Sequence, residues 1–178
     1  MTTFYQARLG AYLKRAERGT DARMRGRYYE NLLDYLISAI PGCQAERNTL
    51  NYYGTEEVDI TVANTRPSDG LRLLPEFFVV ECKNWSSPVD STTLGYFVNV
   101  VVDRGCSLGI LAAANGITGH QEHRTRAHAI GAAALVRQIS ILVVTSDDLR
   151  RLSTPKDMVE LLHRRRLSLT ARGSIFLG

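Results

Sequence analysis

The chain has 178 residues, of which 44% are hydrophobic and 22% are charged. This length is sufficient for one domain with a sizeable core, and the composition excludes an intrinsically disordered protein. The sequence has no apolar run of membrane-spanning length and no signal-peptide pattern at its start, so we expect a cytoplasmic protein that does not act in a membrane. Three widely spaced cysteines without a CxxC pair argue against a zinc site and predict reduced thiols.

Positive charge is concentrated at the two ends of the chain. The formal net charge is +4 and the isoelectric point is about 9.1. Against only Glu17 and Asp21, the first 27 residues contain seven basic residues: Arg8, Lys14, Arg15, Arg18, Arg23, Arg25 and Arg27. The tail adds Arg164, Arg165, Arg166 and Arg172. Each run alone is typical of a solvated helix face, but two basic ends around an acidic centre favour contact with phosphate groups.

Two amphipathic helices are predicted at the N-terminus. Apolar residues recur at helical spacing over residues 3–18, and Gly19 ends this helix. Residues 21–40 show the clearest helical pattern in the chain, and Thr20 or Asp21 is expected to cap their first turn.

The middle of the chain predicts two neighbouring strands. After an extended segment over 43–53, residues 56–62 alternate between apolar and polar, with Asp59 on the polar face. Turn-forming residues over 64–70 lead into a second strand at about 73–83. The short connection favours an antiparallel pair.

The second of these strands ends in an unusual pair of charges. Its apolar run, Phe77–Val80, indicates burial on both faces and a central place in the sheet. Because residues two apart in a strand share a face, Glu81 and Lys83 are expected to point together, with Cys82 opposite. Burying two charges costs several kcal/mol each, roughly, unless they are paired or bind something, so the pair indicates a site.

Residues 90–104 are ambiguous between helix and strand. Their many valines suggest a strand, whereas Asp90 before the run and Gly105 after it suggest a capped helix. We predict a helix, because the following residues 108–114 already show the pattern of a buried strand. A strand, a crossover helix and a parallel strand then follow one another.

The remaining elements complete an α/β fold. They are a helix over 120–136, a strand over 139–144, a short helix capped by Ser146 or Asp147, and a last helix from Pro155 to about Arg166. The expected architecture is a mixed β-sheet flanked by helices on both faces. We expect a single domain over 1–178, composed of a basic N-terminal helix over 1–20, a core over 21–150, and a basic helix and tail over 151–178.

Two carboxylates on neighbouring strands predict a metal site. Asp59 and Glu81 are expected to converge, and hard divalent cations such as Mg²⁺ prefer one or two carboxylates together with water and phosphate oxygens. The backbone carbonyl of Cys82 would add a third oxygen. Lys83 would orient or deprotonate an attacking water, or offset the charge of a phosphate. Glu30, beside the apolar stripe of the second helix, would add an outer ligand through water.

The same residues also have purely structural interpretations. Glu81 and Lys83 could form an ion pair that only stabilises the strand, with the aspartate of the preceding strand left in solvent. For Glu30, a partly exposed position on its helix, paired with Arg27 or Asn31, is an equally good interpretation.

The order of these residues resembles the PD-(D/E)xK nuclease superfamily. Asp59 is followed 22 residues later by Glu81-Cys82-Lys83, after Glu30 on a helix. With Gly109–Leu111 and Asn115–Thr118 in the next strand and loop, the closest resemblance is to Mrr-like restriction endonucleases, and it covers about residues 21–150. Two features depart from the pattern: Val58 replaces the proline before the aspartate, and no glutamine follows on the helix after Lys83.

The resemblance implies a restriction-endonuclease-like fold with an α-β-β-β-α-β core. It implies an endonuclease that hydrolyses phosphodiester bonds in DNA with Mg²⁺, for which Mn²⁺ would substitute, in restriction or defence. Cleavage of a duplex needs two active sites, so a homodimer is expected, and target recognition would come from the dimer or from a separate specificity partner. The alternatives are a Holliday-junction resolvase or repair nuclease of the same fold, or a non-catalytic nucleic-acid-binding or assembly module.

Five residues are candidate contacts to nucleic acid. Trp85 lies just after Lys83 and would stack on a base or line the site, although plain packing is an equal alternative. Thr118 would cap the helix at 120 or donate a hydrogen bond to a phosphate. Basic side chains of two helices complete the set: Arg23, Arg27 and Arg124.

Overall fold

The computed structural model describes residues 2–51, 54–118, 126–173 and 175. These residues form six helices and five strands, in an order typical of an α/β protein. They are α1 (Thr2–Arg18), α2 (Ala22–Ser38), β1 (Cys43–Leu50), β2 (Glu57–Asn64), β3 (Phe77–Lys83), α3 (Ser91–Asp103), β4 (Leu108–Ala113), α4 (Arg126–Val136), β5 (Ser140–Val144), α5 (Ser146–Arg150) and α6 (Pro155–Arg172). None of the described helices is both long and apolar enough to cross a membrane.

The five strands form one mixed sheet in chain order, so β3 is its middle strand. The β1–β2 and β2–β3 pairs are antiparallel, whereas β3–β4 and β4–β5 are parallel. The parallel pairs require crossovers, which α3 and α4 supply. The helix predicted at 90–104 is therefore confirmed, and its first turn is capped by Asp90, whose side chain accepts the N–H of Thr93 at 2.8 Å.

Helices cover both faces of the sheet, as predicted. Arg47 of β1 lies opposite Ile60 of β2 and reaches α2, so the face that carries Ile60 and its partner Val80 is the α2 face. Gly109 of β4 lies opposite Val79 and faces α3. Neighbouring residues of β3 therefore point to different helices, and this explains its nearly continuous apolar sequence.

Gly109 is required where α3 crosses β4. A Cβ atom there would come within 2.5 Å of Val101 and 2.8 Å of Phe97, which are both buried on α3. Gly109→Ala is therefore expected to lower the free energy of unfolding by about 1–3 kcal/mol, through overpacking. Gly10→Ala in α1, where a Cβ meets nothing within 4 Å, is the control and should instead stabilise by about 0.5–1 kcal/mol. Urea denaturation of both variants measures this, and a Gly109→Ala protein as stable as wild type would contradict the packing.

The predicted start of β3 at residue 73 was wrong by four residues. The strand begins at Phe77, whose side chain is 61% exposed, so burial on both faces begins only at Phe78. The preceding residues instead form a turn around the buried side chain of Asn64, which donates to the carbonyls of Leu71 at 2.9 Å and Pro75 at 3.0 Å. Pro75 has no backbone N–H to donate to a neighbouring strand, so β3 does not extend back through this residue.

The C-terminal half also differs from the predicted bounds. The cap of α5 is Thr145, in a capping box with Asp148, and not Ser146 or Asp147. The last helix, α6, continues well past Arg166 to residue 172 because Leu167, Leu169 and Ala171 are good helix formers and no breaker occurs before Gly173. The helix predicted over 120–136 is observed as α4, and its first part, 120–125, lies outside the described residues.

Candidate active site

The site lies where β2 and β3 separate. Their ladder runs from Ala63↔Phe77 to Ile60↔Val80 and stops there, although both strands continue. In the continued register Cys82 would pair with Val58. The backbone N–H of Cys82 is instead taken by the Asp59 carboxylate, with Oδ2 at 2.7 Å. The side chain of Asp59 therefore occupies the gap that the separating strands leave.

Glu81 and Lys83 point to the same side of β3, as predicted. Lys83 Nζ lies 2.6 Å from Glu81 Oε1, and the two side chains are only 24% and 14% exposed. Burial would lower the pKa of Lys83, but the adjacent Glu81 carboxylate outweighs it, and the pKa of Lys83 is raised above its ordinary value. In this arrangement Lys83 is a cation, which suits it to orienting a water or offsetting phosphate charge.

Asp59 is crowded by negative charge. Burial raises the pKa of this carboxyl to about 7, and repulsion from Glu81 adds to the shift against the lowering effect of the Cys82 N–H. Asp59 follows the last paired position of β2, Ile60↔Val80, and its carboxylate lies close enough to Glu81 for the two negative charges to repel each other. A cation placed between them would relieve this repulsion, which is the electrostatic condition for a divalent metal site.

The donor set fits a hard divalent ion with oxygen ligands. Within the described residues, no cluster of three or more His, Cys, Asp or Glu side chains has a metal-binding arrangement. The available donors are therefore two carboxylates, Asp59 and Glu81, together with a backbone oxygen. The N–H and C=O of one extended residue point to the same side of a strand, so the Cys82 carbonyl points toward Asp59. Two carboxylates and one carbonyl leave positions for water and phosphate, as Mg²⁺ requires.

Glu30 has a different partner from either that the sequence suggested. Its carboxylate pairs with Arg47 at 3.3 Å, and the same guanidinium donates to Asn31. This contact draws Glu30 toward β1, on the α2 face of the sheet. Glu30 still contributes to the raised pKa of Asp59, so it lies close to the site. Its role as an outer metal ligand stays a prediction.

Asn84, directly after Lys83, was not singled out from the sequence. Its Nδ2 donates to the carbonyl of Ala16 in α1 at 2.9 Å and to that of Arg25 in α2 at 3.1 Å. One side chain thereby ties two helices to the end of the strand that carries Glu81 and Lys83. The available signal was a polar amide placed next to the charged pair, and in the structure it satisfies the Ala16 carbonyl, one of the last carbonyls of α1, which has no partner within its helix.

Replacement of Asn84 by alanine is expected to lower the free energy of unfolding by about 1–3 kcal/mol, because two carbonyls lose their donor. DNA cleavage should also slow, since the end of β3 loses its attachment to the helices. The control is Asn99→Ala on the exposed face of α3, which should change stability by less than about 0.5 kcal/mol. Chemical denaturation measures the stability of both variants. Equal stabilities of Asn84→Ala and Asn99→Ala would show that Asn84 does not attach the helices to β3.

The predicted nucleic-acid contacts fall into three groups. Trp85 is 40% exposed, and its ring centre lies 5.7 Å from Lys83 Nζ, so an aromatic face borders the charged pair. Arg23 and Arg27 are exposed on the first turns of α2. Thr118 donates its backbone N–H to the Val89 carbonyl at 2.8 Å, and its predicted cap at residue 120, like Arg124, lies outside the described residues.

The sheet and the site together define a class of protein. A mixed sheet with a central ExK strand, and an antiparallel neighbour that brings an aspartate to the same place, is the arrangement of restriction-endonuclease-like nucleases. The family model of the Mrr-type catalytic domain, described as restriction endonuclease, matches residues 22–152, and the chain belongs to this family. No curated protein matches the chain. Membership implies a nuclease with DNA as its substrate, of a kind that typically uses divalent metal ions.

Proposed function

We propose that this protein is a Mg²⁺-dependent endonuclease that hydrolyses phosphodiester bonds in DNA, in restriction or defence against foreign DNA. The observation that carries the proposal is the crowding of Asp59 and Glu81 where β2 and β3 separate, with Lys83 on the same side. Burial raises the pKa of Asp59, and repulsion from Glu81 adds to the increase, which supports a place for a cation beside these two carboxylates.

Asp59, Glu81 and the Cys82 carbonyl would hold the ion, which when bound supplies Lewis-acid activation of water and neutralises phosphoryl oxygens. Ion binding would require the deprotonated form of Asp59 and would compete with the ion pair between Glu81 and Lys83. Lys83 is then free to hold the attacking water by hydrogen bonding, or to contact the phosphate. Trp85 would border the substrate beside Lys83.

Cleavage of both strands of a duplex requires two such sites, and we propose a homodimer for this reason. Target recognition would come from this dimer or from a separate specificity partner. Junction resolution or repair would use the same residues on branched DNA, so the substrate structure distinguishes these functions from restriction.

A non-catalytic module is the second candidate, and one observation favours it. The closed Glu81–Lys83 ion pair, at 2.6 Å, is what a purely stabilising role would produce. The raised pKa of Asp59 favours the enzyme, because a structural pair has no need of a second, crowded carboxylate beside it.

The test is incubation of supercoiled plasmid with the protein in Mg²⁺, Mn²⁺ or EDTA. Nicked and linear products are expected with either metal and not with EDTA, and Glu81→Gln should abolish them. Linear and branched duplexes of the same sequence, compared in the same assay, distinguish restriction from resolution. DNA binding without cleavage in either metal would favour the non-catalytic module.

A further inference from the structure

Helix α1 precedes the part of the chain that the family model matches, which begins at residue 22. It is nevertheless fixed to the core. Leu9, Leu13 and Ala16 are buried, and the ring of Tyr12 packs 5.6 Å from that of Tyr35 in α2. Two polar contacts hold its last turns near the site: the Asn84 bond to the Ala16 carbonyl, and a 2.8 Å ion pair from Glu17 to Arg150 in α5.

A cavity of about 360 Å³ opens where α1 ends and α2 begins. It is lined by three cations, an apolar side chain, an aromatic ring and the linking turn: Lys14, Arg15, Arg18, Met24, Tyr28, Gly19 and Thr20. We call this cavity the α1–α2 groove. Its three cations are exposed, no carboxylate lines it, and among the described residues none of the three forms an ion pair.

The basic C-terminal end is built differently. A cavity of about 530 Å³ along α6 also contains several arginines, but it mixes them with three carboxylates: Asp148, Asp157 and Glu160. One of its arginines, Arg165, is paired with Asp148 at 2.8 Å. Because the carboxylates offset the positive charge locally, this surface has much less attraction for a polyanion. Of the two basic ends, the α1–α2 groove is therefore the one whose charge is complementary to that of a polyanion.

The groove adjoins the candidate active site through Asn84. This residue follows Lys83, and the two carbonyls that it binds belong to the last turns of α1 and the first turn of α2. The cations of the groove stand on those same turns of α1, and Met24 precedes Arg25 directly. The groove therefore stands on the helix turns that Asn84 attaches to the end of β3, one residue after Lys83.

We propose that the α1–α2 groove binds the sugar-phosphate backbone of DNA beside the scissile bond. This inference rests on the proposed nuclease function and adds three cations that precede the matched family domain. Lys14, Arg15 and Arg18 contact phosphates, and Met24 with Tyr28 forms an apolar floor against a sugar or base.

The experiment measures the salt dependence of DNA affinity by fluorescence anisotropy on a duplex, with Ca²⁺ in place of Mg²⁺. The variant carries Lys14→Gln, Arg15→Gln and Arg18→Gln. The logarithmic salt slope falls by about 0.9 for each lost phosphate contact, so a decrease between about 1 and 3 is expected. In Mg²⁺ the variant should show a raised KM and a nearly unchanged kcat, because the catalytic residues are intact.

The matched control carries Arg151→Gln, Arg164→Gln and Arg172→Gln, three exposed cations that line the C-terminal cavity. It removes the same charge and should leave the slope near that of wild type. A second variant, Met24→Glu, places one carboxylate in the groove and should weaken binding several-fold.

Two outcomes overturn the inference in distinguishable ways. If wild type binds and cuts DNA but the groove variant keeps the wild-type slope, or the control loses as much slope, the groove is not the contact surface. If wild type neither binds nor cuts DNA, the proposed function itself fails.

Discussion

Replacement of Lys83 by alanine is expected to slow plasmid cleavage by about 100-fold or more, the range found when a positioned proton-transfer or charge-stabilising group is removed. The side chain is only 24% exposed and points to the same side as Glu81. DNA affinity measured in Ca²⁺ should change little, because one of many cations is lost. Initial rates of nicking in Mg²⁺ measure the effect.

Lys156→Ala is the control for the loss of a lysine. Lys156 lies on α6, is 80% exposed and makes only a 3.8 Å pair with Glu160, so its removal should leave cleavage unchanged. Lys83→Arg keeps the charge but not the shape of the ammonium group, and it should recover only part of the rate. A Lys83→Ala protein that cuts as fast as wild type would leave Lys83 with a structural role as the partner of Glu81.

Metal affinity is expected to increase with pH because Asp59 must lose a proton to bind an ion. With a pKa of about 7 for this carboxyl, the affinity for Mn²⁺ should be about tenfold weaker at pH 6 than at pH 8. The effect is measured as the increase in melting temperature with Mn²⁺ at the two pH values. Asp59→Asn should lose most of the metal-induced increase at both.

The same shift has a definite sign for the stability of the metal-free protein. Burial and Glu81 raise the pKa of Asp59 from the ordinary 3.8 to about 7, so the folded state holds a proton that the unfolded state has released. Stability should therefore fall as pH rises from about 4 to 7, opposite to a carboxylate in an ion pair. Asp59→Asn should flatten this dependence, whereas Asp103→Asn, an exposed residue of α3, should not. For the metal-bound protein, an increase in melting temperature with Mn²⁺ that is the same at pH 6 and pH 8 would contradict Asp59 as a metal ligand.

Much of the fold followed from local patterns. Alternation in β2, the apolar run of β3 and the caps of α2 and α3 are short-range features, and these four predicted elements were observed. The crossover through α3 followed from the strand pattern at 108–114, because parallel strands need a long crossover connection, which is usually a helix. Errors lay at element ends, where a single contact such as that of Thr145 or Asn64 decides the boundary.

The sequence alone predicted which residues would carry the chemistry: an aspartate on one strand, and a glutamate and a lysine two apart on the next, a spacing that puts both on one face. Only the tertiary structure decided how these groups meet. Residues distant in the chain meet in the Asp59 bond to the Cys82 N–H and in the attachment of two helices by Asn84. Tertiary packing also decides where β2 separates from β3 and whether carboxylates lie beside each basic end. Sequence periodicity records which way a side chain points from its own backbone, whereas charge neutralisation depends on which other segment lies opposite, and that is settled by packing.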